Sequence, residues 1–213
     1  MGAKTWMIVY SNGNVPLVWS REPKLNSERN SKILSVLFPG EKYDEIENGN
    51  LASTCPDNSY VQIADLGEVL IVATYDVAID NPSKIPRNFV NFESYKYTYV
   101  FAMHSGVDWF AFAVWESGSL IRSLSLSPDS GIIEDIGAHL SFEEDYWNNK
   151  HPAVDPDDEE DSYPLAFHPL DFGESVLLHL MGYQYEGLTS LNKVDPESIA
   201  MHSFHKRSWW KIW

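Results

Sequence analysis

The chain has 213 residues, 44% hydrophobic and 22% charged, which suits one folded domain and excludes wholesale disorder. Fifteen lysines and arginines against 31 aspartates and glutamates leave a formal charge of −16. That excludes sequence-independent nucleic-acid binding and charge-driven docking on anionic lipid, both of which need a basic surface. A single cysteine, Cys55, excludes an internal disulfide framework and any multi-cysteine metal site.

Residues 4–10 (KTWMIVY) read as a strand closed by the turn residues Ser11-Asn12-Gly13-Asn14. This run is too short for a signal h-region, and Trp6 stands where a myristoylation signal needs Ser or Thr. No apolar stretch approaches the ~18 residues of a spanning helix, so a cytoplasmic protein without a membrane segment is the expectation. Residues 27–38 read as an amphipathic helix capped by Asn26 or Ser27, with Ile33, Leu34, Leu37 and Phe38 on one face and Pro39-Gly40 as its stop. Residues 41–58 are polar and read as loop. Two short strands, 60–65 and 68–76, hinge at Gly67, and residues 83–92 form a weaker helix whose start is limited by Pro86.

Three strand-like runs follow at 95–104, 108–116 and 119–127, joined by Ser105-Gly106-Val107 and Ser117-Gly118. Loops this short predict antiparallel hairpins. The middle run is apolar on both parities, the pattern of a strand covered on both faces. Residues 132–136 and 139–142 extend the sheet. The segment DPDDEED at 155–161 lies in a proline-rich loop and does not match a calcium loop. A helix over 172–181 is capped by Asp171, with Glu174 at the reciprocal capping position and Gly182 at its end. A last strand, 199–205, precedes the tail. The expected fold class is α+β: a single domain over residues 1–205, a central antiparallel β-meander sheet with a few covering helices, an acidic loop inserted at 152–162, and a basic, Trp-rich tail at 206–213.

The start MGAKTWMIVY, the long run HSGVDWFAFAVWESGSLIRSLSLSPDSGIIEDIG at 104–137, the pieces EEDYW and HP at 143–152, YPLAFHPLDFGE at 163–174 and MHSFHK at 201–206 together resemble a family of bacterial proteins known only as a domain of unknown function. The resemblance covers nearly the whole chain and implies one intact domain. It brings no activity, ligand or catalytic residue. The acidic insert and the Trp-rich end after Lys206 look longer than the family pattern.

Cross-strand spacing suggests one chemical cluster. A three-residue loop at 105–107 sets His104 opposite Asp108, and a two-residue loop at 117–118 sets Asp108 opposite Ser127. Directly opposed residues share a face, so His104, Asp108 and Ser127 would meet at one sheet end, with Asp129 and Ser130 in the following turn. A carboxylate orienting an imidazole that deprotonates a hydroxyl is the logic of a hydrolase. The plain alternative is a hydrogen-bonded hairpin end, and no G-x-S-x-G elbow supports the catalytic reading. Ser123, Ser125 and Ser127 line one face beside Phe110 and Phe112, either to admit a ligand or, as favoured, to let a helix pack closely. Arg122 falls on the opposite, leucine-rich face, with Glu134 and Asp135 as candidate partners. Seven scattered histidines match no zinc signature, and phosphate-binding glycine motifs are absent, so no metal or cofactor is expected.

Trp209, Trp210 and Trp213 with Lys206, Arg207 and Lys211 form a basic aromatic end on an acidic protein. This end either folds back on its own acidic surface or anchors a protein partner or a second copy. The favoured expectation is therefore a non-catalytic binding or assembly protein. The alternative is a small hydrolase-like enzyme using His104, Asp108 and Ser127.

Overall fold

The described residues form nine strands, with short helices between some of them: β1 (Lys4–Ser11), β2 (Tyr43–Asn50), β3 (Tyr60–Asp65), β4 (Val69–Thr74), β5 (Tyr97–His104), β6 (Trp109–Glu116), β7 (Ser119–Ser127), β8 (Gly131–Ile136) and β9 (Ala200–Lys206). In this computed structural model, which describes residues 2–92, 95–154 and 163–207, the strands form one sheet in the order β2-β9-β3-β4-β1-β5-β6-β7-β8. Every neighbouring pair is antiparallel. β1 is the middle strand. The meander from β5 to β8 builds one half of the sheet. The β3–β4 hairpin, with β9 and β2 beyond it, builds the other.

Both faces of the sheet are covered, which is why its central strands lack polar alternation. On one face Met7, Val9, Ile71, Phe101, Phe110, Phe112 and Leu124 join Val18 of α1 (Val15–Trp19), Tyr146 of α4 (Glu144–Trp147) and Phe172, Val176, Leu177 and Met181 of α5 (Pro169–Met181). On the other, Trp6, Ile8, Tyr10, Val72, Val100 and Ala111 join Ile33, Leu34 and Leu37 of α2 (Asn30–Leu37) and Phe89 of α3 (Arg87–Val90). α5 approaches the sheet at Gly173, where an added Cβ would lie 2.7 Å from Phe110 Cδ2 and 3.0 Å from Met103 Sδ.

Several expected boundaries move. α2 begins at Asn30 rather than Ser27. α5 begins at Pro169, because His168 and not Asp171 is its cap: Nδ1 of His168 accepts the Leu170 amide at 3.3 Å. The polar stretch expected as loop at 41–58 contains β2, an edge strand paired with β9. Residues 139–142 are not a strand. The helix expected over 83–92 is a 3-10 turn at Pro82–Lys84 followed by the four-residue α3.

The β6–β7 hairpin has the expected two-residue turn, with Ser117 and Gly118 both at positive φ (50° and 76°), the hairpin turn that matches strand twist. A bulge then intervenes. Trp115 pairs with Leu120 but Val114 pairs with Arg122, so Ile121 is extra and every later pair shifts by one. Arg122 is fully buried. Its guanidinium bonds the Glu143 carboxylate, with Nε and Nη2 at 3.0 and 2.8 Å, and also the Asp135 carboxylate and the Ile136 carbonyl. Burial by itself would lower its proton affinity; the bonds to Glu143 and Asp135 more than offset that and raise it. Glu143 also accepts the Leu140 amide and the Trp147 indole N–H. The cluster thus pins the 139–147 segment to β7 and β8.

Candidate functional site

The observed register differs from the expected one at His104, Asp108 and Ser127. The β5–β6 turn holds four residues, so His104 pairs with Trp109 rather than Asp108. The β6–β7 bulge then takes Ser127 out of register with Asp108. Nδ1 of His104 accepts the Gly106 amide at 3.0 Å, and its ring stacks on Trp6 with centroids 6.2 Å apart. Ser127 is buried, and its Oγ accepts the Ser130 amide at 3.2 Å. Asp108, at φ 44°, instead faces His168, with Oδ2 3.6 Å from Nε2. The three residues are therefore each committed to separate local partners. Tyr163 stacks on His168, and burial together with Asp108 and Asp171 pushes its phenol up to about 12.

The bulge also turns the serines of β7. Ser123 and Ser125 lie opposite Ala113 and Ala111, not beside Phe110 and Phe112. Ser125 Oγ accepts the Trp109 indole N–H at 3.1 Å, and Ser123 Oγ bonds Glu134, which also binds Ser83 through Oγ at 2.6 Å. These hydroxyls are occupied by packing. Arg122 takes Asp135, as one of the two expected partners, while Glu134 serves the serines.

Lys206 Nζ lies 2.8 Å from Glu41, and Arg207 bonds Asp44, so both basic residues hold acids flanking or within β2. Trp209, Trp210 and Trp213 lie outside the described residues, as does the acidic run 155–161. Among the described residues, no group of three His, Cys, Asp or Glu side chains is placed to hold a metal ion, and no helix is long and apolar enough to cross a membrane.

A broad concavity lies at the end of the central strands. It is a groove of about 1110 Å³ lined by four separate stretches: the start of β1 (Gly2, Ala3, Lys4), the segment after β2 (Asn50, Ala52, Ser53, Cys55), the β5–β6 turn (Ser105, Gly106), and the loop between α5 and β9 (Gln184 to Glu197). Buried and part-buried bonds hold these walls together. Thr5 Oγ1 and Thr54 Oγ1 are 2.7 Å apart, Thr54 Oγ1 and the Tyr185 hydroxyl are 2.7 Å apart, and that hydroxyl donates to Leu51 O at 3.1 Å. Because the Tyr185 proton goes to Leu51 O, Thr54 is the donor to Tyr185 and Thr5 the donor to Thr54. Burial raises the Tyr185 phenol, so this chain stays neutral. The Ser105 amide donates to Ala3 O at 3.0 Å, and Asn192 exchanges two bonds with the Gln184 backbone at 2.9 and 3.0 Å.

Glu174 of α5 braces the same loop from behind, its Oε2 accepting the Tyr185 amide at 2.7 Å. It does not serve the reciprocal cap expected of it. Burial pushes its carboxyl up to about 7, against the opposing pull of the Tyr185 and Glu186 amides, with Glu186 and Asp171 adding to the rise. Oε1 of Glu174 and Oδ1 of Asn50 are buried atoms with no hydrogen-bond partner among the described residues.

This groove has no signature in the sequence. Its residues follow no motif or period, and their one shared trait is polar, aperiodic loop composition. Residues 5–204 match the model of a family of unknown function, DUF6928, and the chain belongs to that family. No curated protein and no solved structure matches it.

Proposed function

We propose, taking membership of a family without an assigned activity as the premise, that this chain is a non-catalytic binding protein whose ligand occupies the groove at the end of the central strands. One observation carries this reading. The groove's walls come from four distant stretches, yet a continuous run of buried and part-buried bonds from Thr5 through Thr54 and Tyr185 to Leu51 ties three of them together, and the Ser105 amide ties the fourth to Ala3 O. A site held ready in this way loses little ordering entropy when it binds. Its volume, about 1110 Å³, lies just above the ~300–1,000 Å³ range of small-ligand sites. The non-catalytic half of the reading is supported by the separate local bonds of His104, Asp108 and Ser127.

The test is a screen of polar fragments against the ¹⁵N-labelled protein, alongside an Ala52→Trp variant that fills the groove. Ligands should shift the amides of residues 52–55, 105–106 and 185–194 and lose those shifts in the variant. Hits that cluster elsewhere, or that persist in a folded Ala52→Trp protein, would refute the assignment. Turnover of a fragment would refute the non-catalytic reading.

A further inference from the structure

Charges of both signs line the groove. Lys4 and Lys193 line it together with Glu186, Asp195 and Glu197. Elsewhere several cations of this acidic chain are paired, among them Arg21 with Glu68, Lys96 with Glu116, Lys150 with Asp145 and Lys206 with Glu41, while others, such as Lys24, Lys42 and Lys84, stand solvated at the surface without an ion pair among the described residues. Among the described residues neither groove lysine has a carboxylate within ion-pair distance, although three carboxylates line the same space. Asn50 Oδ1, also at the lining, is a buried acceptor without a donor among the described residues, and such an atom is costly to leave unsatisfied.

From these features, and resting on the groove being the binding site, we infer that its ligand is a short peptide with free termini. A terminal carboxylate answers Lys4 and Lys193. A terminal ammonium answers the acids, and ammonium or amide N–H groups can donate to Asn50 Oδ1. A neutral ligand would leave all of these groups as they are. A purely anionic one would satisfy the lysines and add to the repulsion from three carboxylates. The volume exceeds what one amino acid fills. Ala52 contributes little side-chain bulk to the wall, which leaves room for an extended main chain beside it.

The test uses tetra-alanine in three forms: free termini, N-acetylated, and C-amidated, each titrated into the ¹⁵N-labelled full chain. The free form should bind with a dissociation constant on the order of 1 mM, as expected of a small unoptimised ligand. Capping either end should weaken binding roughly three- to tenfold, the size of a partly exposed charge interaction. In a Lys4→Met/Lys193→Met protein, the free acid and the C-amide should bind alike. Equal binding of all three forms to the unaltered protein would overturn the inference, as would no shift of the groove amides by any of them. The two readings fail separately. Fragments that bind the groove while no peptide does would leave the site standing and remove the peptide. Silence from both at the groove would remove both.

Discussion

Glu174 should make this fold less stable as the pH rises, and replacing it with glutamine should remove that dependence. Its carboxyl is raised from an ordinary 4.5 to about 7 by burial. Between those values the folded chain holds a proton that the unfolded chain has released. Stability therefore falls as pH rises through the window from about 4.5 to 7, and the full penalty is present above it. At 1.36 kcal/mol per tenfold change in proton affinity the penalty is about 3 kcal/mol, which partial solvent access reduces to about 2 kcal/mol. Glu174→Gln keeps an oxygen for the Tyr185 amide but places an NH₂ at the position of the unpartnered Oε1, at a cost of about 1 kcal/mol. The variant should then gain about 1 kcal/mol at pH 8 and lose that advantage towards pH 5. Urea unfolding of both proteins at pH 5, 6, 7 and 8 measures this, and taking their difference cancels the contribution of every other ionisable group. A difference that is constant with pH would refute the reasoning. Because Glu174 braces the groove wall at Tyr185, the same series should show the amides of 184–187 shifting with a midpoint near 7.

Arg122→Met should cost about 3–5 kcal/mol by leaving Glu143 buried without its cation, and adding Glu143→Leu should recover part of that loss; chemical denaturation of the single and double variants decides it, and a milder single variant would mean that water reaches Glu143. Gly173→Ala should destabilise by about 1–2 kcal/mol, because the clash with Phe110 and Met103 outweighs the roughly 1 kcal/mol that alanine gains in a helix, and a rise in thermal stability would contradict the close approach. Replacing Lys206 and Arg207 together by alanine should cost under about 1 kcal/mol and less still at high salt, since both pairs are partly exposed; a loss above about 2 kcal/mol would show that β9 depends on them for its pairing with β2.

The parts legible in the sequence are those in which a residue's neighbours along the chain decide its environment. The runs 95–104, 108–116 and 119–127 emerge as β5, β6 and β7 with small changes at their ends, since apolar pattern and Ser117-Gly118 turn chemistry are local. The α+β class follows from the same signals. β2 was hidden because an edge strand rich in Asp, Glu and Asn owes its conformation to backbone pairing with β9, some 150 residues later in the chain. The extra Ile121 was equally invisible. One bulged residue leaves no mark on composition, but it moves Ser127 out of register with Asp108 and turns Ser123 and Ser125 to the other face. Glu174 has the sequence position of a helix cap. Its side chain went instead to a loop amide, a choice set by which buried donor lacked a partner. The groove depends wholly on such long-range decisions. Residues 2–4, 50–55, 105–106 and 184–197 carry no shared pattern, and they come together only because β1 lies at the centre of the sheet and a chain of hydroxyls ties the loops around its first residues.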